Sequence, residues 1–172
     1  MKVDFIIVGQ GLAGTCFAFE LLKRKKTFIV IDKFESNTSS RVALGVYNPL
    51  ILKWLTKPWK IDDQIDYFYS FYNEINQFFK KDFIHDIGIY KFLGSPYEQN
   101  NWLSKSGSSN ISKYMSSSLM NPGCKGLVNN DDFYGFVKSS GRLDVLNLLK
   151  SFAEHFANTN NFIHEKFNHN EK

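Results

Sequence analysis

Val3-Asp4-Phe5-Ile6-Ile7-Val8-Gly9-Gln10-Gly11-Leu12-Ala13-Gly14 is the stretch whose reading decides the fold. It opens with a short, nearly continuous apolar run, the pattern of a parallel strand buried on both faces. Three glycines follow at once in the spacing Gly-x-Gly-x-x-Gly. Leu12, Cys16, Phe19 and Leu22 then recur at helical spacing, and the basic run Lys23-Arg24-Lys25-Lys26 closes that helix. Cations near a helix C-terminus gain ~0.3–1 kcal/mol each from the dipole, which accounts for the run without a ligand. A second buried-type strand, Phe28-Ile29-Val30-Ile31, ends in Asp32. These residues predict a βαβ unit.

Each part of the unit has a physical task. Gly9 permits the tight turn out of the strand, and Gly11 lets backbone approach a pyrophosphate with no Cβ in the way. Gly14 lets the helix pack close against the strand. The helix N-terminus turns its N–H groups and positive dipole end toward the phosphates. Asp32, 18 residues beyond Gly14, is placed to accept hydrogen bonds from ribose hydroxyls. A Gly-x-Gly-x-x-Gly alone is a weak signal. Here it follows a strand, opens a helix and has its acidic partner, so the reading is a dinucleotide site. One departure stands out: such helices commonly end in glycine, and Lys25 occupies that point. A left-handed Lys25 would cost on the order of 1 kcal/mol.

Working outward, the next segment is Ser39-Ser40-Arg41-Val42-Ala43-Leu44-Gly45-Val46-Tyr47-Asn48-Pro49. With the opening motif, it resembles the D-amino-acid oxidase/glycine oxidase family of FAD-dependent oxidoreductases. In that family a loop rich in Ser, Ala and Gly runs beneath the flavin. Ser39, Ser40, Ala43 and Gly45 match it, while Arg41, Val42 and Leu44 are bulkier than the family's usual residues. Gly141-Arg142-Leu143-Asp144, before a helical pattern at Leu146, Leu149 and Phe152 and the strand-like Asn161-Phe162-Ile163, is similar to the family's return to its nucleotide domain. Asp144 is the natural cap of that helix. Val46-Tyr47-Asn48-Pro49-Leu50 is also similar to the oxidase half of the enzyme that modifies the wobble uridine of tRNA.

The resemblance implies an α/β fold: a Rossmann-like FAD-binding βαβ unit with an inserted, incomplete α+β substrate-domain segment. It places the FAD-binding domain at 1–60 and 138–172 and the substrate segment at 61–137. The implied cofactor is FAD, held by Gly9, Gly11, Leu12, Ala13, Gly14, Asp32, Lys33, Ser40, Ala43, Leu44 and Gly45. The implied reaction is oxidation of a small amine or amino acid by hydride transfer to flavin, followed by imine hydrolysis and reoxidation of the flavin. No catalytic side chain is assignable. Members of the family are longer, so the expectation is a truncated N-terminal half or one part of a split protein, with a second chain as a possible source of the rest. Two other functions stay open: a nucleotide-binding fragment without turnover, and an NAD-dependent dehydrogenase, which would leave the Ser-Ala-Gly segment unexplained.

Between these pieces, Ile61, Ile65, Phe68, Tyr72, Ile75 and Phe79 recur at helical spacing and predict an amphipathic helix over 61–80. Tyr67, Tyr69 and Phe71 widen its aromatic surface and are expected to serve packing. Residues 87–93 read as a strand and 98–105 as a helix. Residues 104–118 and 121–123 read as turn or loop, and 126–137 as a strand pair broken at Asn129-Asn130-Asp131-Asp132.

The 172 residues carry a net charge of only +4, with Lys and Arg scattered rather than gathered into a basic face, so charge does not ask for a nucleic-acid partner. A tRNA substrate enters only through the resemblance. Cys16 and Cys124 form no CxxC pair, and His85, His155, His164 and His169 show no ligand spacing, so neither a disulfide framework nor a metal site is expected. No run approaches the ~20 apolar residues that cross a bilayer, and the first residues lack a secretory pattern. The expected setting is soluble and cytoplasmic.

Overall fold

The computed structural model describes residues 2–35, 37–123 and 132–168. In chain order its elements are β1 (Phe5–Val8), α1 (Leu12–Lys23), β2 (Phe28–Ile31), α2 (Ser39–Val42), β3 (Val46–Tyr47), α3 (Ile61–Phe79) and β4 (Ile84–His85). They continue with β5 (Ile89–Phe92), α4 (Pro96–Ser106), a 3₁₀ turn at Ser112–Tyr114, β6 (Tyr134–Val137), β7 (Gly141–Leu143), α5 (Val145–Asn158) and β8 (Phe162–Ile163). The chain divides into two compact units, Met1–Gly45 with Asp144–Lys172, and Val46–Leu143.

The first unit is built on a parallel sheet in the order β1-β2-β8. Phe5 lies opposite Phe28 and Val8 opposite Ile31, while Val30 and Ile31 face Phe162 and Ile163. Both crossovers step across the sheet in the same direction. The right-handed rule then sets α1 and α5 on the same face, and the two helices meet edge to face at Phe19 and Phe152, with ring centroids 5.8 Å apart. Phe28 packs against Phe156 in the same way at 5.6 Å. On this face Ile7, Ala18, Leu148, Leu149, Phe152 and Phe156 are buried.

The expectation that β1 is buried on both faces is overturned. Among the described strands β1 lies at the sheet edge, and Ile6 and Val8 are 62% and 54% exposed. Its alternation sends Ile7 toward the helices and its neighbours to the opposite face. Lys25 does take the left-handed conformation, with φ 53, and its N–H closes α1 on Leu22 O at 3.0 Å.

The second unit gathers Leu50, Leu55, Ile61, Ile65, Leu93, Trp102, Ile111, Tyr114, Met115 and Val137 into one core. Trp102 is fully buried and donates its indole N–H to Ser116 O at 3.0 Å, which satisfies the one polar atom that burial would strand. Around this core stand two small antiparallel sheets, β3-β7-β4 and β5-β6. The predicted helix at 61–80 is α3, and Ile61, Ile65, Tyr72 and Ile75 form its buried stripe. Lys80, at φ 53, stops it. The helix expected at 98–105 starts earlier because Ser95 caps it, accepting from Glu98 N at 3.3 Å, with Pro96 in its first turn.

Two readings change in the second unit. Gly141–Leu143, taken from sequence as the approach to a helix, is the central strand β7. Three residues are too few to show a period. Within the aromatic run Phe71 is buried and Tyr69 packs against the core while its hydroxyl bonds a carboxylate, but Tyr67 is exposed. Asp144 caps α5 as expected, accepting from Asn147 N at 3.3 Å. Of the strand pair expected at 126–137, Tyr134–Val137 is β6, and residues 126–131 lie outside the described residues, as do Cys124 and His169. Among the described residues no helix is long and apolar enough to cross a membrane.

Candidate functional site

The turn from β1 into α1 is set by its glycines. Gly9 has φ +96, a region that L side chains rarely adopt. A Cβ on Gly14 would stand 2.2 Å from Gly9 O and 3.2 Å from Ile7 Cγ2, so only glycine lets α1 start this close to the strand. Gly11 occupies the N-cap position without a side-chain cap, and the next amide, Leu12 N, donates to Ser40 Oγ at 3.0 Å. The hydroxyl of Ser40 thus stands where an anionic oxygen would accept from the helix N-terminus.

Asp32 follows β2 at the carboxyl end of the sheet. Its Oδ2 accepts from Gln10 N at 2.7 Å and its Oδ1 from Phe34 N at 2.6 Å. Two backbone amides therefore fix the plane of the carboxylate, and each oxygen keeps a lone pair for a further donor. A cavity of about 210 Å³ opens beside it, lined by Val8, Gly9, Ile31, Asp32, Lys33 and Phe167. It lies past the carboxyl ends of parallel strands, where ligands of open α/β sheets bind.

Two contributors escaped the sequence reading. Gln10 is 1% exposed, and its Nε2 donates to Leu149 O at 2.8 Å, tying the glycine turn to α5. Arg41 Nη2 donates to Gln10 Oε1 at 3.2 Å, and its guanidinium lies 4.0 Å from the Phe34 ring centroid. Arg41 was visible only as a misfit among small residues; its place in the turn needs a contact across 31 positions. Nothing in the residue types marked Gln10, since the motif leaves that position free.

The structure brings Gly9, Gly11, Leu12, Ala13, Gly14, Asp32 and Ser40 together around the turn. Lys33 lines the cavity and pairs with Glu35. Ala43, Leu44 and Gly45 follow α2, a single helical turn within the segment read as loop. They are not drawn into the turn: Ala43 and Leu44 are exposed, Leu44 at 78%, and Gly45 has φ 71. The assembly offers main-chain N–H groups for an anion, an oriented carboxylate for hydroxyls, and an open small-residue segment.

No protein-family model matches the sequence. Among solved structures the chain is similar to L-amino acid deaminase from Proteus myxofaciens in complex with anthranilate, with a TM-score of 0.67 and 16% identity over 94% of this chain and 37% of that one. It is similar to glycine oxidase from Bacillus cereus, at 0.61 and 18%, over 96% of this chain and 48% of that one. Iminodiacetate oxidase from Chelativorans sp. gives 0.66 and 14%, over 92% of this chain and 45% of that one. The likeness is one of fold, and it includes a glycine oxidase, as the sequence resemblance implied. The chain spans less than half the length of each of these structures.

Proposed function

We propose that this chain is the nucleotide-binding part of an FAD-dependent oxidoreductase acting on a small amine or amino acid. The observation that carries the reading is Asp32, held by Gln10 N and Phe34 N beside the Gly9–Gly14 turn and facing a cavity at the strand ends. The fit to FAD rests on this chain's own atoms. A Cβ on Gly11 would stand 3.1 Å from Ser40 Oγ, so a side chain there would crowd the hydroxyl at the start of α1. In this role Asp32 accepts the ribose hydroxyls, and the amides at the start of α1 take the pyrophosphate in exchange for Ser40 Oγ. Arg41 holds Gln10 and so the turn. Ala43, Leu44 and Gly45 would lie toward the flavin ring. When bound, the flavin supplies the hydride acceptor, and the protein supplies orientation and local charge. The proposed substrates follow from the fold likeness to proteins whose names specify amino acids or iminodiacetate.

The test is the absorbance of the purified chain after incubation with FAD and gel filtration. Retained bands near ~375 and ~450 nm support the reading. A colourless protein that instead retains NAD overturns it. Asp32→Ala is expected to weaken FAD affinity at least about tenfold, the effect of losing hydrogen bonds to a charged group; unchanged affinity would remove Asp32 from the ribose. A second reading is nucleotide binding without turnover, favoured because the residues gathered here serve binding and include no acid, base or nucleophile aimed at a substrate.

A further inference from the structure

Ile51-Leu52-Lys53-Trp54-Leu55-Thr56-Lys57-Pro58-Trp59-Lys60, on the way from β3 to α3, carries two of the chain's three tryptophans. Leu50 and Leu55, 2% and 3% exposed, root this loop in the core of the Val46–Leu143 unit. Ile51 N donates to Thr56 O and Leu55 N to Ile51 O, each at 2.8 Å, which closes a turn with Trp54 at its tip. Leu55, at φ 50, and Lys60, at φ 52, take the left-handed conformation. That conformation costs free energy for a residue with a Cβ, and the burial of Leu55 offsets it.

The tryptophans of this loop face outward. Trp54 is 60% exposed and Trp59 78%, whereas Trp102 is fully buried. Five residues of chain hold the two outward rings to one surface, with at most about 18 Å between their Cα atoms. Each ring has an ammonium over one face: Lys53 Nζ stands 5.1 Å from the Trp54 ring centroid, and Lys60 Nζ 4.9 Å from that of Trp59. Neither lysine pairs with a carboxylate among the described residues. Lys57 and Lys113 both pair with Asp62, and Asp63 is the other carboxylate in the first turn of α3. Four lysines therefore stand against two carboxylates around the loop.

We propose that this loop rests on an anionic lipid surface, with Trp54 and Trp59 at the level of the headgroups and Lys53 and Lys60 on their phosphates. An indole has an apolar body and a single N–H donor, which suits the boundary between acyl chains and headgroups. A lysine near an anionic surface adds attraction and carries its charge outward on an apolar stem. A single-stranded nucleic acid also uses rings and cations, but it stacks its bases on open ring faces along a groove. Here an ammonium already covers one face of each ring, and Trp54 sits at the tip of a turn. The contact is peripheral, since among the described residues no helix is long and apolar enough to cross a membrane. The inference does not rest on the flavin reading, because all of these residues lie in Val46–Leu143.

Co-sedimentation of the full chain with vesicles tests it, using phosphatidylcholine alone and phosphatidylcholine mixed equally with phosphatidylglycerol. Tryptophan emission is read on the same samples. Binding to the mixed vesicles at least about tenfold tighter than to phosphatidylcholine alone is expected, from two lysines near the surface. It should weaken with added salt and shift the emission to shorter wavelength, a shift to which the buried Trp102 does not contribute. Trp54→Ala and Trp59→Ala should each weaken binding about tenfold. Lys53→Gln should weaken it about fivefold, all three with an unchanged circular dichroism spectrum. No binding to the mixed vesicles, equal binding to both kinds, or binding that survives loss of both tryptophans overturns the inference. So does polyuridylate that binds and shifts the emission where the mixed vesicles do not.

Discussion

The two units of the chain build their polar sites by opposite means. Around the turn of Met1–Gly45 the groups proposed to face the nucleotide are mostly backbone: amides at the start of α1, glycines that admit them, and a carboxylate steered by two main-chain N–H groups. In Val46–Leu143 the phenols of Tyr47 and Tyr69, from β3 and α3, meet the carboxylate of Asp86, just after β4, by side chains alone. A backbone site requires small residues at fixed short spacing, because steric room is what it selects for. A side-chain site requires only that distant residues converge, and it leaves no local spacing behind. The cores differ in the same sense. One rests on phenylalanines that repeat along α1 and α5; the other on Trp102, whose contacts are spread over the unit.

The largest effects sharpen this contrast at the cores. Phe152→Ala in the first unit and Trp102→Ala in the second should each cost about 3–5 kcal/mol of stability, because both rings are fully buried. Urea denaturation followed by circular dichroism measures this. A loss of less than ~1 kcal/mol in either would show that its unit does not rest on that ring.

Glycine replacements come next and separate the two kinds of close approach. Gly14→Ala drives a Cβ to 2.2 Å from a backbone oxygen, whereas Gly135→Ala drives one to 2.3 Å from the Trp102 ring. Each should destabilise by about 1–3 kcal/mol. Only Gly14→Ala should also abolish FAD retention, since it displaces the turn itself. Equal loss of retention in both variants would break the comparison.

The smallest effect is titrational. Tyr69 is raised from 10 to about 12, first by burial and then by Asp86. Its contribution to stability is therefore full below pH 10 and is lost as pH rises from 10 to 12. In an alkaline absorbance titration, Asp86→Asn should bring the Tyr69 transition part of the way back toward 10, with burial keeping it above that value. An unmoved transition would mean that burial alone sets it.

Much of the unit formed by Met1–Gly45 and Asp144–Lys172 was legible in the residues themselves. Val3–Val8, the three glycines, the helical repeat from Leu12 and the run ending in Asp32 determined β1, α1, β2 and the acidic end of β2, because close packing and strand burial act over a few neighbouring positions. Asp144 likewise announced α5, and the spacing from Ile61 announced α3. Tertiary structure alone decided which face of β1 is covered, since that depends on both crossovers stepping the same way. It also decided that three residues at Gly141 form a central strand, that Gln10 is anchored on Leu149 and clamped by Arg41, and that Tyr47, Tyr69 and Asp86 share one place. Each of these depends on contacts between residues tens of positions apart, and no local preference in the chain encodes where such partners meet.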